Sequence, residues 1–201
     1  PETAALAAFT CCIHPDVMLA LHTQGSVIYP GPAETAPPGS DALAAAFARG
    51  AAEAGHHAVM CSLRGKALGF CVGCLSCQKT KRCVIRDDAP AIVQQMKQAD
   101  VLVFATPIYY YEMCGQMKTL LDRANPLYTD DYAFRDVYLL SAAADDAPDA
   151  DRRAVSGLEG WIECFEHARL AGRVFAGGLD APGSVAGHPA LQEAYTLGKN
   201  A

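Results

Sequence analysis

At 201 residues the chain has the length of one domain, and 51% hydrophobic against 19% charged residues gives it apolar surface for a full core, which excludes disorder as its overall state. With 16 basic and 22 acidic side chains the formal charge is -6, so the chain lacks the positive footprint that a phosphate backbone demands, and no nucleic-acid partner is expected. No apolar run reaches the ~18 to 20 residues of a spanning helix, and Pro1 to Ala8 lacks the basic start and long apolar stretch of a secretory leader, so a cytoplasmic protein without membrane contact is expected.

Residues 1–25 read as an N-terminal extension: a short helix over Glu2 to Phe9, then a β-rich run, Val17 to Leu21, that is either an extra strand or itself the first core strand. With Ser26 to Pro30 taken as the first strand, the domain runs over 26–201. A helix over Asp41 to Glu53 puts Leu43, Phe47 and Ala51 on one face, with Ser40 or Asp41 as N-cap and Gly55 as its stop. Ala58 to Leu63 is the second strand. After a cysteine-rich loop, Asp87 and Asp88 stand ahead of Pro90 and a helix carrying Ile92, Val93 and Met96, an acidic and proline-bearing helix start. Val101 to Thr106 is the unbroken apolar run of a strand buried on both faces.

A loop over 107–114 leads to a helix, Gly115 to Arg123, and then to a strand, Val137 to Ser141, which opens into a polar Ala/Asp-rich loop over 142–151. Val155, Leu158, Trp161, Ile162 and Phe165 mark the apolar face of the next helix, with Trp161 read as core. A strand over Arg173 to Gly177 and a helix over Ala190 to Leu197 complete the chain. Strand and helix thus alternate, and right-handed crossovers fold such an order into an α/β, doubly wound, five-stranded parallel sheet that binds ligands at the carboxyl ends of its strands. Neither G-x-G-x-x-G nor G-x-x-x-x-G-K-[ST] is present.

Nine cysteines are many for such a chain, and an odd number does not suggest a disulfide framework. Four of them, Cys71, Cys74, Cys77 and Cys83, form a C-x2-C-x2-C-x5-C array with Lys79, Lys81 and Arg82 inside it. Three readings fit that loop: four thiolate ligands of a [4Fe-4S] cluster, uncoordinated thiols in a surface or interface loop, or a structural zinc site. The six histidines show no ligand spacing, and Asp145, Asp146, Asp149 and Asp151 lack the glycine and glutamate of a calcium loop.

The other chemical signal is the stretch from Ala105 to Lys118, where a buried strand passes into a helix. Pro107 stiffens the strand exit, Tyr109, Tyr110 and Tyr111 offer stacking surface for a flat heterocycle, and Gly115 lets backbone amides approach a ligand. An aromatic cap on the core is the alternative. Together with the cysteine rim, the tyrosines form an apolar surface of the kind that meets a partner.

With these segments the chain resembles the flavodoxin-like NAD(P)H-dependent FMN reductases and their iron-sulfur flavoprotein branch. The carriers are DALAAAFARGAAEAGH, the four-cysteine segment followed by VIRDDAP, VLVFATPIYYYEMCGQMKTLLDR, and GHPALQEAYTLGKN. The resemblance implies a flavodoxin-like sheet in strand order 2-1-3-4-5, FMN as cofactor, NAD(P)H as co-substrate, and a homodimer or homotetramer meeting near the flavin. Thr106, Pro107, Ile108, Tyr109, Tyr110, Tyr111 and Gly115 match the loop that holds the flavin ring, and Ala142, Ala143 and Ala144 lie where the next strand end flanks it. The segment from Gly31 to Asp41 takes the place of the phosphate loop. It lacks the family's arginine and asparagine, contains Glu34, and leaves Gly31, Gly39, Ser40 and Asp41 as the candidate contacts. Cys114 stands where the family commonly has serine or threonine.

The expected function is an FMN-dependent oxidoreductase that moves electrons between NAD(P)H or another donor and a small acceptor or protein partner. No side-chain acid or base is assigned, because the flavin carries the electron chemistry. The alternative is a non-catalytic electron carrier, or a thiol or iron-sulfur redox sensor.

Overall fold

The computed structural model describes residues 17–21, 39–181 and 183–201. Its strands are β1 (Val17–Leu21), β2 (Ala58–Ser62), β3 (Val101–Tyr109), β4 (Glu112–Met113), β5 (Asp136–Ala142) and β6 (Arg169–Ala176). Its helices are α1 (Gly39–Glu53), α2 (Ser76–Thr80), α3 (Ala89–Gln98), α4 (Gly115–Arg123), α5 (Arg152–Ile162) and α6 (Pro189–Lys199), with a 3-10 turn over Asn125–Thr129.

The sheet runs β2-β1-β3-β5-β6, with every neighbouring pair on that path parallel. β4 pairs antiparallel with β3, which makes the whole sheet mixed rather than purely parallel. The run Val17 to Leu21 lies between β2 and β3, so a central strand comes from the stretch read as an N-terminal extension. Ser26 to Pro30, taken in the sequence as the first strand, lies outside the described residues, as does Gly31.

The strand period of two divides the core. On one face Leu102 and Phe104 of β3 and Val137 and Leu139 of β5 join Met96, Leu120 and Leu158 from α3, α4 and α5. On the other, Val103 and Ala105 of β3 and Tyr138 and Leu140 of β5 meet Leu43, Phe47 and Ala51 of α1 and Ala190 and Ala194 of α6. Each fully buried Leu or Phe stabilises the fold by about 1.5–3 kcal/mol relative to exposure. Both sheet faces are therefore covered, and the open positions are at the strand ends. Trp161, read as core, is half-buried and packs against the core edge-on to Phe104 at 5.7 Å between ring centroids, and its indole Nε1 donates to Leu121 O at 3.3 Å.

Local sequence explains the helix starts. α3 and α6 carry proline in their first turn, where the missing N–H costs nothing. His188 caps α6, with its Nδ1 accepting from Ala190 N at 3.2 Å. Asp88 is the N-cap of α3 but makes no side-chain cap bond to it, and its carboxylate is used elsewhere.

Candidate active site

Three segments converge at the carboxyl edge of the sheet. Pro107 on β3 is in register with Ala142 on β5. The start of α1 lies against the same strand end: a Cβ on Gly39 would stand 3.0 Å from Ala142 Cβ and 2.4 Å from Leu179 Cδ1. Ala143 continues from β5, its N–H donating to Ala176 O and its carbonyl accepting from Leu179 N, both at 2.9 Å. Ala144 is exposed just beyond.

β3 runs past Thr106 to Tyr109 and turns back at once into β4, so the stretch read as a loop over 107–114 is largely a tight hairpin. Tyr110 and Tyr111 form its two-residue turn, with φ of 51° and 68°. Two successive positive φ values are what a hairpin with the twist of its strands requires, and Asn-Gly normally fills such a turn. Tyrosine there is strained, and Tyr110 is 97% exposed.

Beneath the turn, Thr106 is fully buried and donates from Oγ1 to Pro107 O at 2.9 Å, while accepting from Cys114 N at 3.1 Å. Thr106 thus closes the hairpin base, and Ile108 packs half-buried against the core. Cys114 leads into α4, where Gly115 is exposed with open space at its Cβ position. Burial pushes the Cys114 thiol up, against hydrogen bonds from Thr106 and from the Met117 and Gln116 amides, so it stays a neutral thiol.

On α1, Ser40 is buried, and Asp41 lies in the first turn with its carboxyl raised from 3.8 to about 6 by burial, against the pull of Arg64. The partial positive charge at a helix start suits an anion, and the raised Asp41 is less often charged there.

The four cysteines of the array line one pocket with Val72, Leu75 and Arg123. Cys77 is buried on α2, a short helix absent from the sequence reading, and its Sγ accepts from Asn125 Nδ2 at 3.1 Å. Cys71 and Cys74 are exposed and Cys83 is half-buried. The Cys74 thiol is held below its ordinary value by hydrogen bonds from the backbone and side chain of Ser76. Among the described residues no three His, Cys, Asp or Glu side chains gather as a set for one metal ion.

The neck of this loop is tied by residues that sequence reasoning missed. Ala67 N donates to Asp88 Oδ2 at 2.7 Å, Asp88 N to Ala67 O at 3.0 Å, and Gly69 N to Asp87 Oδ2 at 2.8 Å. Arg123, at the end of α4 and 1% exposed, pairs with Asp87 at 2.6 and 2.9 Å. The sequence placed Asp87 only as an acid near a helix start. The pairing of residues so far apart leaves no local pattern. Burial alone would raise the Asp87 carboxyl, but the Arg123 hydrogen bonds and the Gly69 and Ala89 amides outweigh it and hold the group ionised.

Residues 35–180 match the NADPH-dependent FMN reductase family. The chain belongs to that family. An iron-sulfur flavoprotein of Methanocaldococcus jannaschii is 38% identical over 76 residues, 38% of this chain and 39% of that protein. A putative NAD(P)H-dependent FMN-containing oxidoreductase of Bacillus subtilis is 31% identical over 124 residues, 56% of this chain and 66% of its own. The matches to the iron-sulfur flavoproteins thus span about two fifths or less of those relatives' length. Among solved structures, an NAD(P)H:quinone oxidoreductase from Methanothermobacter marburgensis superposes with a TM-score of 0.63 at 16% identity, over 94% of this chain and 97% of that one. An archaeal flavodoxin does so at 0.52 and 12% identity, covering 92% and 94%. These likenesses show the α/β, flavodoxin-like fold.

Proposed function

We propose that the protein is an FMN-dependent oxidoreductase that passes electrons from NAD(P)H or another donor to a small acceptor or a protein partner. The observation that carries this is the meeting of α1's start, the β3–β4 turn and the end of β5 at one edge of the sheet, in a chain of the FMN reductase family. FMN, when bound, supplies the electron chemistry of its ring. The residues fit it. Gly39 keeps the α1 start free of a side chain, where the first-turn amides, Ser40 and Asp41 would meet the phosphate, and Gly31 is a phosphate contact that rests on the sequence alone. Thr106, Pro107, Ile108, Tyr109, Tyr110, Tyr111 and Gly115 orient the ring from one side, and Ala142, Ala143 and Ala144 border it from the other. The family match does not favour the non-catalytic carrier or sensor.

The same proposal places a [4Fe-4S] cluster on Cys71, Cys74, Cys77 and Cys83. A cluster takes its thiolates at separate iron corners, which suits four cysteines spread around one pocket better than a single ion does. A buried Arg123 Nε in the wall of that pocket, with no hydrogen-bond partner among the described residues, adds an N–H suited to a sulfur acceptor. The exposed apolar residues interleaved with the cysteines, Phe70, Val72, Leu75 and Val84, together with Tyr110, support a homodimer or homotetramer, and the free thiols of the described cysteines suit a reducing, cytoplasmic setting.

Titration of apoprotein with FMN, followed by steady-state oxidation of NADH and NADPH with quinone acceptors, tests the main reading. Quenching of flavin fluorescence and flavin-dependent turnover are expected; no quenching overturns it. Iron and sulfide analysis after anaerobic purification tests the cluster. Replacing any one of the four cysteines by serine is expected to remove the broad visible absorption and leave the flavin bands.

A further inference from the structure

Arg123 has a role that the flavin site does not use. Its Nη1 donates to Gly69 O and Asp87 Oδ2, both at 2.6 Å, and its Nη2 to Asp87 Oδ1 at 2.9 Å and Ile85 O at 3.4 Å. One guanidinium therefore holds both strands of the neck from which the cysteine loop springs, just before Cys71 and just after Cys83. Four of its five N–H groups are taken in this way, and the fifth, on Nε, is buried without a partner among the described residues. The same side chain lines the cysteine pocket and interacts with the Cys83 side chain.

A buried arginine with an orphan donor is costly unless something accepts from it, since an unsatisfied buried group costs about 1–3 kcal/mol. Asp87 partly offsets the charge, but its two oxygens are already shared among the other Arg123 nitrogens and the Gly69 and Ala89 amides. Among the side chains that line the pocket, the Cys83 thiol is the one, besides Asp87, that already interacts with Arg123.

We infer that Arg123 is a positioning residue for the cysteine site: it locks the neck of the loop through Gly69, Ile85 and Asp87, and directs its remaining N–H and its positive charge at the sulfur ligands on the Cys83 side, which raises the reduction potential of the group they hold. Hydrogen bonds to cluster sulfurs and local net charge are two of the levers that set such potentials. The inference rests on the cluster reading above. Because Arg123 ends the helix that begins at Gly115, α4, roughly 13.5 Å long at 1.5 Å per residue, also joins the neck to the segment that follows the flavin turn.

The test uses the anaerobically purified holoprotein and its R123Q, R123K and D87N variants. Iron and sulfide are assayed, and the potential of the iron-sulfur signal is followed by EPR-monitored redox titration. Removing the positive charge in R123Q is expected to shift the midpoint negative, so that at fixed poise the reduced-to-oxidised ratio falls about tenfold, equivalent to ~59 mV for one electron. R123K, which keeps the charge but not the planar fork, is expected to shift less. D87N removes the compensating negative charge and is expected to shift the midpoint positive. A scaffold role alone would move both substitutions the same way, or leave the potential of retained clusters unchanged, and either result overturns the inference. If R123Q does not fold, the opposite sign in D87N and the small shift in R123K still decide it. Iron-free wild-type protein would refute the cluster reading itself, and the inference with it.

Discussion

Gly50 of α1 and Tyr195 of α6 touch backbone to backbone: a Cβ on Gly50 would stand 2.0 Å from the Tyr195 carbonyl oxygen. Gly198 makes the reciprocal approach, with a Cβ there falling 2.1 Å from Phe47 O. The two helices that cover one face of the sheet are thus locked by small residues rather than by interlocking large ones. Because the obstructing atoms are main chain, G50A and G198A are each expected to destabilise by about 3 kcal/mol, the upper end of overpacking costs. Melting temperature should fall by ~2–4 °C for each kcal/mol in a domain of this size. Gly160, on the exposed face of α5 with nothing within 4 Å of a Cβ, is the control: G160A should gain about 0.8–1 kcal/mol from helix propensity.

The tyrosine turn should trade stability against cofactor binding. Tyr110 and Tyr111 hold φ values of 51° and 68°, which cost of order 1–3 kcal/mol each for non-glycine residues in sparsely populated regions. Y110N/Y111G supplies the residues such a turn prefers. Thermal unfolding of the apo double variant should occur at higher temperature than that of the wild type. Its FMN affinity, read by fluorescence titration, should be weaker, because the rings proposed to face the flavin are gone. An affinity equal to wild type would remove both tyrosines from the site.

How far the sequence disclosed this architecture follows from which interactions are local. The core helices and buried strands were legible because periodicity and caps lie within one segment: Leu43, Phe47 and Ala51 share the buried face of α1 as their spacing predicts. The hairpin was not, since Tyr-Tyr carries no turn signature and its left-handed backbone is imposed by the pairing of Ile108 with Met113. The choice between Val17–Leu21 and Ser26–Pro30 is also non-local, decided by parallel pairing to β2 and β3. In the cysteine loop the spacing announced the thiols, but not Arg123, Asp87 or Asn125, whose roles exist only once α4 and the 3-10 turn pack under the loop.

Asp151 is a buried junction of the same non-local kind. It accepts from Ser141 Oγ and from Arg173 Nη1, both at 2.7 Å, and ties the end of β5 and the start of α5 to β6. Asp151 is fully buried, whereas the Arg173 side chain is 44% exposed, so loss of the carboxylate leaves Arg173 hydrated and Ser141 unsatisfied. D151A is expected to cost about 2–3 kcal/mol, below the 3–5 of a wholly buried pair, as measured by urea denaturation. A smaller loss in S141A than in D151A would confirm that the acid is the hub, whereas equal losses would place the weight on the hydroxyl.

The last prediction concerns pH and Asp41, whose carboxyl is raised from 3.8 to about 6 by burial. An acid with a raised folded value binds more protons folded than unfolded between those two points, so its contribution to stability is present at low pH and falls as pH rises through about 6. Asp41 lies in the first turn of α1, where the FMN phosphate is proposed to sit, so its ionisation should also oppose the anion. The phosphate's own second ionisation, near pH 6, strengthens binding to a helix start over the same range and masks the effect in wild type alone. The ratio of D41N to wild-type affinity isolates it, because the phosphate contributes equally to both. That ratio should be lowest near about pH 5 and rise roughly three- to tenfold by about pH 7.5, the size of ~1 kcal/mol of charge interaction. A ratio that stays constant across this range would place Asp41 away from the phosphate.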